Sequence, residues 1–400
     1  MAKFSDAPTH AGYDVVIVGG GIMGCAAACF TALDPGFQGR ILVVERDPTY
    51  EFATTSQTNS CIRQQFSNPL NIAISRFAAG YLRNFAEEIG DEAAPAIRLD
   101  GFGYLYLANT PEGAARLEVN HAVQRAEGVA VDLLDPAALA QRFPWMVVDD
   151  LLLGSHGGPD EGYFDGAAMF EGWGRRARQL GVEFLAAEVV QIAHVGNRVQ
   201  GVMLADGTVL GAGHVVNAAG PRADRVAAMA GVELPVAPRK RLSFIFEAEE
   251  LAGFPLLIDP SGVHVRRDGT GYLAGAAPMG SDIPRDDTDF AEEPDVWEEK
   301  VWPLLAARVP AFERLRLRTS WVGWYEMNLL DQNAIVGPVP GLENFLLMNG
   351  FSGHGLQQAP AMGRAISELI VSGGYRTLDL GPLGLQRVIE GRAFGEVNVI

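Results

Sequence analysis

Residues 13–24 read YDVVIVGGGIMG, and this stretch decides the fold. Its first six residues are rich in β-branched side chains and predict a strand, and the Ala-rich residues after the glycines predict a helix. A second apolar run over residues 41–44 ends in Glu45. Strand, glycine turn, helix and strand within about thirty residues predict a βαβ unit that holds a dinucleotide at its glycine turn.

Each glycine of this motif has its own task. Gly19 permits the tight turn, Gly21 lets the backbone approach a pyrophosphate, and Gly24 lets the helix pack on the strand. The helix N-terminus offers amide hydrogens and the positive end of its dipole to phosphate. Glu45 is placed to accept hydrogen bonds from a ribose, and its charge disfavours a 2′-phosphate. The pattern fits NAD and FAD equally well, and a purely structural glycine turn is the alternative.

Two later segments repeat the change from strand to glycine turn. Residues 214–220 read HVVNAAG, and residues 345–355 read FLLMNGFSGHG before a predicted helix that extends to about residue 371. Between these segments, residues 239–247, 262–267 and 271–276 alternate as antiparallel strands. We therefore predict an α/β protein, α+β overall, with a Rossmann-like domain of discontinuous segments and a mainly antiparallel β substrate domain with helices. The expected boundaries are residues 1–95, 146–236 and 319–400 for the first domain, and 96–145 and 237–318 for the second.

The composition excludes several classes of function. The 400 residues contain 31 Lys and Arg against 49 Asp and Glu, a net charge of −18, which disfavours binding to nucleic acid or anionic lipid. The sequence shows no apolar run of about twenty residues, and its first twelve residues carry no targeting pattern. Cys25, Cys29 and Cys61 cannot form a disulfide framework. We expect a cytoplasmic protein without a transmembrane segment or a metal site.

Five segments carry a resemblance to a known family: VIVGGGIMG, VVERD, TTSQTNSCIRQQFS, VVNAAGPRAD and NGFSGHGLQQAPAMGRAISELI. Over residues 13–400 the chain resembles the FAD-dependent oxidoreductases of the D-amino-acid-oxidase type, the group of sarcosine oxidase, glycine oxidase and dimethylglycine dehydrogenase. Within the group it is most similar to a mitochondrial branch associated with the assembly of respiratory complex I. The resemblance implies that the dinucleotide is FAD.

The resemblance also implies which residues contact FAD. A glycine loop before a helix directs amide hydrogens at a bound group, and in a flavoenzyme it faces the ring edge where negative charge develops. Val189 stands where the family holds adenine through backbone groups. The implied cofactor-binding residues are Gly19, Gly21, Ile22, Met23, Gly24, Glu45, Arg46, Thr55, Ser56, Val189, Ala219, Gly220, Gly350, Phe351, Ser352, Gly353, His354, Gly355, Leu356 and Gln357.

Five residues are candidates for contact with the substrate. Arg63 resembles the arginine that binds a substrate carboxylate, because its planar fork suits bidentate pairing. The alternative for Arg63 is a structural ion pair. Tyr325 and His264 match wall positions of the active site and are equally well explained as packing. His354 either assists the glycine loop or bonds to backbone, and Gln357 stands where sarcosine oxidase has a lysine for the carboxylate.

Departures from the oxidase pattern bear on the chemistry. Leu273 stands where monomeric sarcosine oxidase has its oxygen-activating lysine, and Gly323 stands where that enzyme attaches FAD through a cysteine. We therefore expect non-covalent FAD, slow reaction with oxygen and a substrate other than simple sarcosine. Met23 and Trp321 are interpreted as core residues, and the basic triplet at residues 239–241 as a solvated strand end.

The leading hypothesis is oxidation of the C–N bond of an amino acid or of a secondary or N-methyl amine, giving an imine that hydrolyses. A dehydrogenase is favoured over an oxidase, with a quinone, an electron-transfer flavoprotein or oxygen as the electron acceptor. A 2-hydroxy-acid dehydrogenase is the first alternative, and it would need a base such as His264 or His354. A non-enzymatic FAD-binding assembly factor is the second.

We predict that the purified protein holds FAD without a covalent bond. Gly323 has no side chain to attach a flavin, so acid or heat denaturation should release all of the yellow colour to the supernatant. Fluorescence of the denatured chain on a gel measures any remainder. A fluorescent protein band would contradict the prediction.

Overall fold

The computed structural model describes residues 4–398, so the outermost residues of the expected domain boundaries lie outside the described part. One sheet has eight strands, and its parallel core has the order β9-β2-β1-β12-β19. Two antiparallel strands, β10 and β11, extend it beside β12, and β18 pairs with β19. The strands are β1 (Gly12–Val18), β2 (Ile41–Glu45), β9 (Glu183–Ala186), β10 (Val189–Val195), β11 (Arg198–Leu204), β12 (Val209–Asn217), β18 (Ile335–Val339) and β19 (Leu342–Asn349).

Strand β1 shows why this sheet is central. Val15 and Ile17 pack into one hydrophobic cluster, while Val16 and Val18 pack into another on the opposite face. A strand that is apolar on both faces is typical of a parallel sheet covered on both sides. The run VVIV therefore fixes β1 in the middle of the first domain.

Helices cover both sheets, and four of the longer ones begin with a side chain that caps the first turn. Asn68, Thr110, Asp135 and Asp165 each accept a hydrogen bond from a backbone amide of that turn, which satisfies an otherwise orphaned donor. The helices are α1 (Ile22–Leu33), α2 (Pro69–Arg83), α3 (Phe85–Glu88), α4 (Pro111–Ala126), α5 (Pro136–Arg142), α6 (Gly166–Gln179), α7 (Ala223–Ala228), α8 (Pro294–Val296), α9 (Trp302–Arg308), α10 (Gly355–Ser372) and α11 (Leu385–Ile389). Short 3-10 turns lie at Gly220–Arg222, Pro310–Arg314 and Gly381–Leu383, and a π turn at Trp297–Val301 joins α8 to α9.

The second sheet also has eight strands, in the order β17-β13-β16-β15-β14-β5-β7-β6. Its strands are β5 (Tyr104–Ala108), β6 (Val131–Leu134), β7 (Leu153–Gly157), β13 (Val236–Glu247), β14 (Leu256–Ile258), β15 (His264–Asp268), β16 (Gly271–Ala276) and β17 (Arg316–Asn328). One face packs against residues 294–312 through a buried cluster that includes Phe244, Phe246 and Trp297. A small third sheet joins β3 (Cys61–Ile62), β8 (Gly162–Phe164) and β4 (Leu99–Asp100).

The α/β class predicted from the sequence is confirmed. Two strands belong to a different sheet from the one that the expected boundaries imply. Strands β7 and β17 pair within the second sheet, although the expected boundaries put β7 and all but the start of β17 in the first domain. Pairing partners distant in sequence decide this, because β7 joins β5 and β17 joins β13. In the described residues, no helix is both long and apolar enough to cross a membrane.

Helices α1 and α10 pack closely, because a glycine of α10 faces α1 and places no side chain between them. A Cβ atom on Gly363 would lie 2.6 Å from the Phe30 ring and 2.9 Å from the Cβ of Ala26. At the start of α1, a Cβ on Gly24 would lie 1.9 Å from the carbonyl oxygen of Gly19. These glycines set how closely the two helices and the first strand approach.

We predict opposite effects for two Gly→Ala changes inside helices. Gly363→Ala should lower the free energy of unfolding by about 1–3 kcal/mol, because the new methyl group overlaps α1. Gly80→Ala in α2 is the matched control, since nothing lies within 4 Å of its added Cβ. It should raise stability by about 0.5–1 kcal/mol through helix propensity. Denaturant unfolding measures both, and equal effects would contradict the packing explanation.

Candidate cofactor and active site

A cavity of about 670 Å³ lies between the two large sheets. This volume is within the range of small-molecule and cofactor pockets, about 300–1,000 Å³. Strands β1, β12 and β19 are neighbours and parallel, so their carboxyl ends meet at one edge of the first sheet. The three glycine turns predicted from separate parts of the sequence therefore converge on this cavity.

At the β1 turn, close packing excludes side chains and leaves the backbone open to the cavity. Gly19 has a φ of +102°, and an added Cβ would lie 2.3 Å from the carbonyl oxygen of Ala218. A Cβ on Gly21 would meet only the Thr55 hydroxyl within 4 Å and would otherwise fill open space. The amide of Ile22 donates to that hydroxyl at 2.9 Å, which ties the start of α1 to residues 53–55.

Glu45 lies at the end of β2 and lines the cavity. The Gly20 amide donates to its Oε2 at 2.7 Å, and the Asp47 amide donates to its Oε1 at 2.8 Å. Each oxygen has a second lone pair, so the carboxylate can still accept bonds from a ribose. Burial raises the pKa of Glu45, and the two amide hydrogen bonds oppose that shift.

Most of the predicted cofactor residues lie on the cavity wall, and four do not. Ser56 is exposed to solvent, one position beyond Thr55, and does not line the cavity, so its contact with the cofactor stays a prediction. Gly24, Gly350 and Ser352 shape the turns from behind the wall. Ser352 receives a hydrogen bond from the Asn328 amide at 3.0 Å and donates to the Gly350 carbonyl at 3.2 Å. The residues on the wall are Gly19, Gly21, Ile22, Met23, Glu45, Arg46, Thr55, Val189, Ala219, Gly220, Phe351, Gly353, His354, Gly355, Leu356 and Gln357.

The N-terminus of α10 forms a second backbone-lined part of the wall. Gly353 has a φ of +91°, and an added Cβ would lie 2.4 Å from the ring of Tyr325. His354 is the N-cap of α10, and Gly355, Leu356 and Gln357 make its first turn. The positive end of the helix dipole therefore faces the cavity next to a tyrosine ring.

The Arg63 guanidinium is almost entirely buried and engaged with protein atoms. Its Nη1 donates to the Gln65 carbonyl at 3.3 Å and to the Tyr106 hydroxyl. Its Nη2 donates to the Asn398 carbonyl and to His354 Nε2, the latter at 2.7 Å. No carboxylate of the described residues pairs with it, so a positive charge beside the cavity lacks a counterion. The predicted contact between Arg63 and a substrate carboxylate stays a prediction, and a bidentate contact would require the release of these partners.

His354 is held in one protonation state by Arg63. A guanidinium can only donate, so Nε2 of His354 accepts and its ring proton is on Nδ1. Burial and the charge of Arg63 hold the pKa of His354 well below its usual value. The histidine is therefore neutral at physiological pH.

The second sheet turns a polar face towards the cavity. Alternation places Arg241 and Ser243 of β13, His264 and Arg266 of β15, and Tyr325 of β17 on the side opposite the buried cluster. Sequence reasoning missed Arg241 and Ser243, although the alternation of residues 241–246 contains the signal. Leu273 and Gly323 lie on the same face.

His264 occupies space that a neighbouring glycine leaves free. A Cβ on Gly275 of β16 would lie 2.3 Å from His264 Nε2. The Asn59 amide group is 3.4 Å from that nitrogen, and Nδ1 is buried without a partner. Burial, followed by the charge of Arg241, lowers the pKa of His264 to about 4.

The basic triplet at residues 239–241 is not a solvated strand end, which corrects the sequence interpretation. Lys240 is 1% exposed and pairs with Asp289 at 3.1 Å and Glu293 at 3.0 Å. Arg241 makes a two-pronged pair with Asp282. An acidic segment that is distant in sequence packs near the strand, and its carboxylates form ion pairs with these basic side chains.

Glu326 is a further wall residue that the sequence analysis did not single out. It follows Tyr325 and is fully buried, and the Gly350 amide donates to its Oε2 at 3.0 Å. Burial without a nearby cation raises its pKa to about 8. The side chain is therefore mostly protonated at neutral pH, beside the glycine turn that follows β19.

The residues present fit FAD. Two helix N-termini, an open glycine turn and a half-buried carboxylate acceptor line one continuous cavity. The N-terminus of α1 can bind phosphate, and Glu45 can accept hydrogen bonds from a ribose. The N-terminus of α10 can stabilise a group that gains negative charge. Within residues 4–398, no group of three or more His, Cys, Asp or Glu side chains is arranged to hold a metal ion.

We predict that Glu45→Ala weakens binding of the FAD that the resemblance implies. Loss of a charge-assisted acceptor should cost about 1.5–3 kcal/mol, or roughly one to two decades of affinity. Flavin content after extensive dialysis, with unfolding measured in parallel, tests this. Glu51→Ala is the control, because Glu51 is exposed and does not line the cavity. Equal flavin retention in both variants would contradict the role of Glu45.

Comparison with known proteins agrees with the site. FAD-dependent oxidoreductase domain-containing protein 1 of Xenopus laevis is 39% identical over 427 residues, covering 97% of this chain and 85% of that protein. Sarcosine oxidase subunit beta of Rhizobium meliloti (strain 1021) is 26% identical over 90% of this chain and 85% of that protein. L-proline dehydrogenase from P. horikoshii shares the fold with a TM-score of 0.83 at 24% identity, over 96% of this chain and 99% of that one. Residues 14–369 match the family described as FAD dependent oxidoreductase (DAO), so the chain belongs to this family and its cofactor is FAD.

Proposed function

We propose that the protein oxidises the C–N bond of a small amino acid or N-alkyl amino acid that carries a carboxylate. The observation that carries this proposal is that three arginines, Arg63, Arg241 and Arg266, line one cavity together with two histidines of lowered pKa. A relative of 26% identity is named for sarcosine, which is a secondary amine with a carboxylate.

The proposed reaction balances as a two-electron oxidation. When bound, FAD supplies the acceptor for a hydride, which leaves the substrate carbon next to nitrogen as the C–H bond breaks. The nitrogen lone pair forms the C=N bond, and water adds to the imine to give a carbonyl compound and ammonia, or an amine where the nitrogen carries an alkyl group. The protein contributes orientation and electrostatics rather than the redox chemistry itself.

The arginines favour the reactive form of an amine. An amine must be neutral for its lone pair to assist the departure of hydride, and nearby positive charge lowers the pKa of a bound ammonium group. The same charges attract a carboxylate on the substrate. One wall therefore binds the acid group and favours the deprotonated nitrogen.

The wall is less suited to a 2-hydroxy acid. Oxidation of an alcohol requires a base for the hydroxyl proton, and the candidates were His264 and His354. Burial and neighbouring arginines lower the pKa of both histidines, and that of His264 to about 4. A base so weak accepts a proton poorly near neutral pH, which favours the amine.

The electron acceptor is the second part of the proposal. Leu273 lines the cavity at the position where the resemblance expects an oxygen-activating lysine. Its cross-strand partner is Arg266, whose charge is paired with Asp268 at 2.7 Å. We favour a quinone or an electron-transfer flavoprotein over oxygen, because Leu273 supplies no cation at this position and the cation opposite it is paired with a carboxylate.

We predict that carboxylate-bearing secondary amines bleach the visible absorbance of bound FAD under anaerobic conditions. N-Methylalanine and N-ethylmethylamine form one matched pair, and alanine and lactate form another. The acid of the first pair should act at concentrations about tenfold to a hundredfold lower, since a charged hydrogen bond contributes about 1.5–3 kcal/mol. Lactate should leave FAD oxidised.

Three outcomes would contradict parts of this proposal. Bleaching by lactate but not alanine would favour the hydroxy-acid alternative. No bleaching by any amine, amino acid or hydroxy acid would favour the non-enzymatic role. Return of the colour within milliseconds of admitting air would replace the dehydrogenase with an oxidase.

A further inference from the structure

An acidic segment borders the cavity and is held by ion pairs, hydrogen bonds to its backbone and aromatic packing. Residues 279–293 connect β16 to α8 without regular structure, and Thr288 and Phe290 of this segment line the cavity. Phe290 also packs on Phe52, with ring centroids 4.8 Å apart. The carboxylates of the segment pair with cations outside it: Asp287 with Arg222 and Arg225, Asp289 and Glu293 with Lys240, and Asp282 with Arg241.

The pair between Asp282 and Arg241 differs from the others in geometry. Nη1 of Arg241 donates to Oδ1 at 3.0 Å, and Nη2 donates to Oδ2 at 2.8 Å, so the fork holds both carboxylate oxygens. Asp282 is exposed, its side chain 39% accessible, and it does not itself line the cavity. Arg241 does line it. A guanidinium on the wall is thus occupied by a carboxylate that reaches in from the surface.

Arg241 is close to the predicted chemistry. Its Cζ lies 4.7 Å from the centroid of the Tyr325 ring, and a Cβ added to Gly353, before the start of α10, would lie 2.4 Å from the same ring. One aromatic ring therefore contacts both the guanidinium and the glycine loop that suits the reacting end of the cofactor. A small amino acid is long enough to span a single ring.

We propose that Arg241 binds the carboxylate of the substrate, and that Asp282 occupies the same fork when substrate is absent. This inference rests on the proposed function and names the residue that selects for an acid group. One carboxylate replaces another with the same hydrogen-bond geometry, so the exchange costs little.

The other two arginines on the wall are poorer sites for the carboxylate. Arg63 gives both terminal nitrogens to buried partners, including the backbone of Asn398. Arg266 is tied to Asp268 and to two backbone carbonyls, those of Arg267 and Asn59. Asp268 belongs to β15 itself, so Arg266 is paired within its own strand. Arg241 alone of the three is held by an exposed side chain from another segment.

Equilibrium binding of acetate and benzoate to the FAD-loaded protein tests the inference without turnover. Carboxylate binding is followed through the change in the visible spectrum of bound FAD. Asp282→Asn removes the internal competitor and should tighten carboxylate binding by about threefold to tenfold, because the competent fraction rises. Arg241→Met should weaken binding at least tenfold. In the Arg241→Met background, Asp282→Asn should have no effect.

Asp286→Asn is the matched control, because Asp286 is exposed on the same segment and caps Thr288 rather than an arginine. It should bind both acids like the parent protein. Unchanged affinity in Asp282→Asn, or full affinity in Arg241→Met, would overturn the inference. If Arg241→Met fails to retain FAD, the Asp282→Asn arm alone decides, since this residue is on the surface.

The result separates this inference from the proposed function. If carboxylates bind through Arg241 but no amine bleaches FAD, the binding site is supported and the proposed reaction is refuted. N-Methylalanine that bleaches the FAD of Arg241→Met at parental concentrations would support the reaction and refute the role of Arg241.

Discussion

The direct contact between helices α1 and α10 is the constraint on which the rest of the site depends. Each helix begins at a glycine turn that lines the cavity, so their mutual position sets where both backbone-lined walls lie. Gly363 against Ala26 and Phe30 permits this approach, and the C-terminal half of the chain is thereby locked to the first βαβ unit. A protein interior packs at crystal-like density, so even one added methyl group would shift one wall relative to the other.

Charges are distributed unevenly in the molecule, with an acidic exterior and arginines along the cavity. The net charge of −18 keeps the surface negative, while Arg63, Arg241 and Arg266 line the cavity. Buried charge is costly unless it is paired or hydrogen-bonded, and each arginine meets that requirement in a different way. Arg63 donates hydrogen bonds to neutral acceptors. Arg266 pairs with a carboxylate of its own strand, and Arg241 pairs with a carboxylate of a surface segment. Burial, followed by these charges, lowers the pKa of both histidines.

The C-terminal residues show how the site also depends on distant packing. Glu396 accepts hydrogen bonds from Ser67, Asn68 and Asn71, near the start of α2. Asn398 donates to the Gln65 carbonyl and accepts from Arg63 through its own carbonyl. The end of the chain is therefore part of the support behind Arg63 and His354. The local sequence of residues 392–398 contains no pattern that predicts this role.

The sequence by itself determined the parallel βαβ unit, the three glycine turns and the position of Glu45, because each follows from local periodicity and from glycine conformations that few other residues adopt. It also contained Tyr325, His264 and Gln357 as wall residues, through their resemblance to family positions. Tertiary structure decided which strands share the second sheet, where β7 and β17 find partners far away in the chain. It also decided the environment of each charge: the burial of Lys240, the neutral partners of Arg63 and the capture of Arg241 by Asp282. These depend on contacts between residues dozens to hundreds of positions apart, and side-chain spacing along one element carries no information about them.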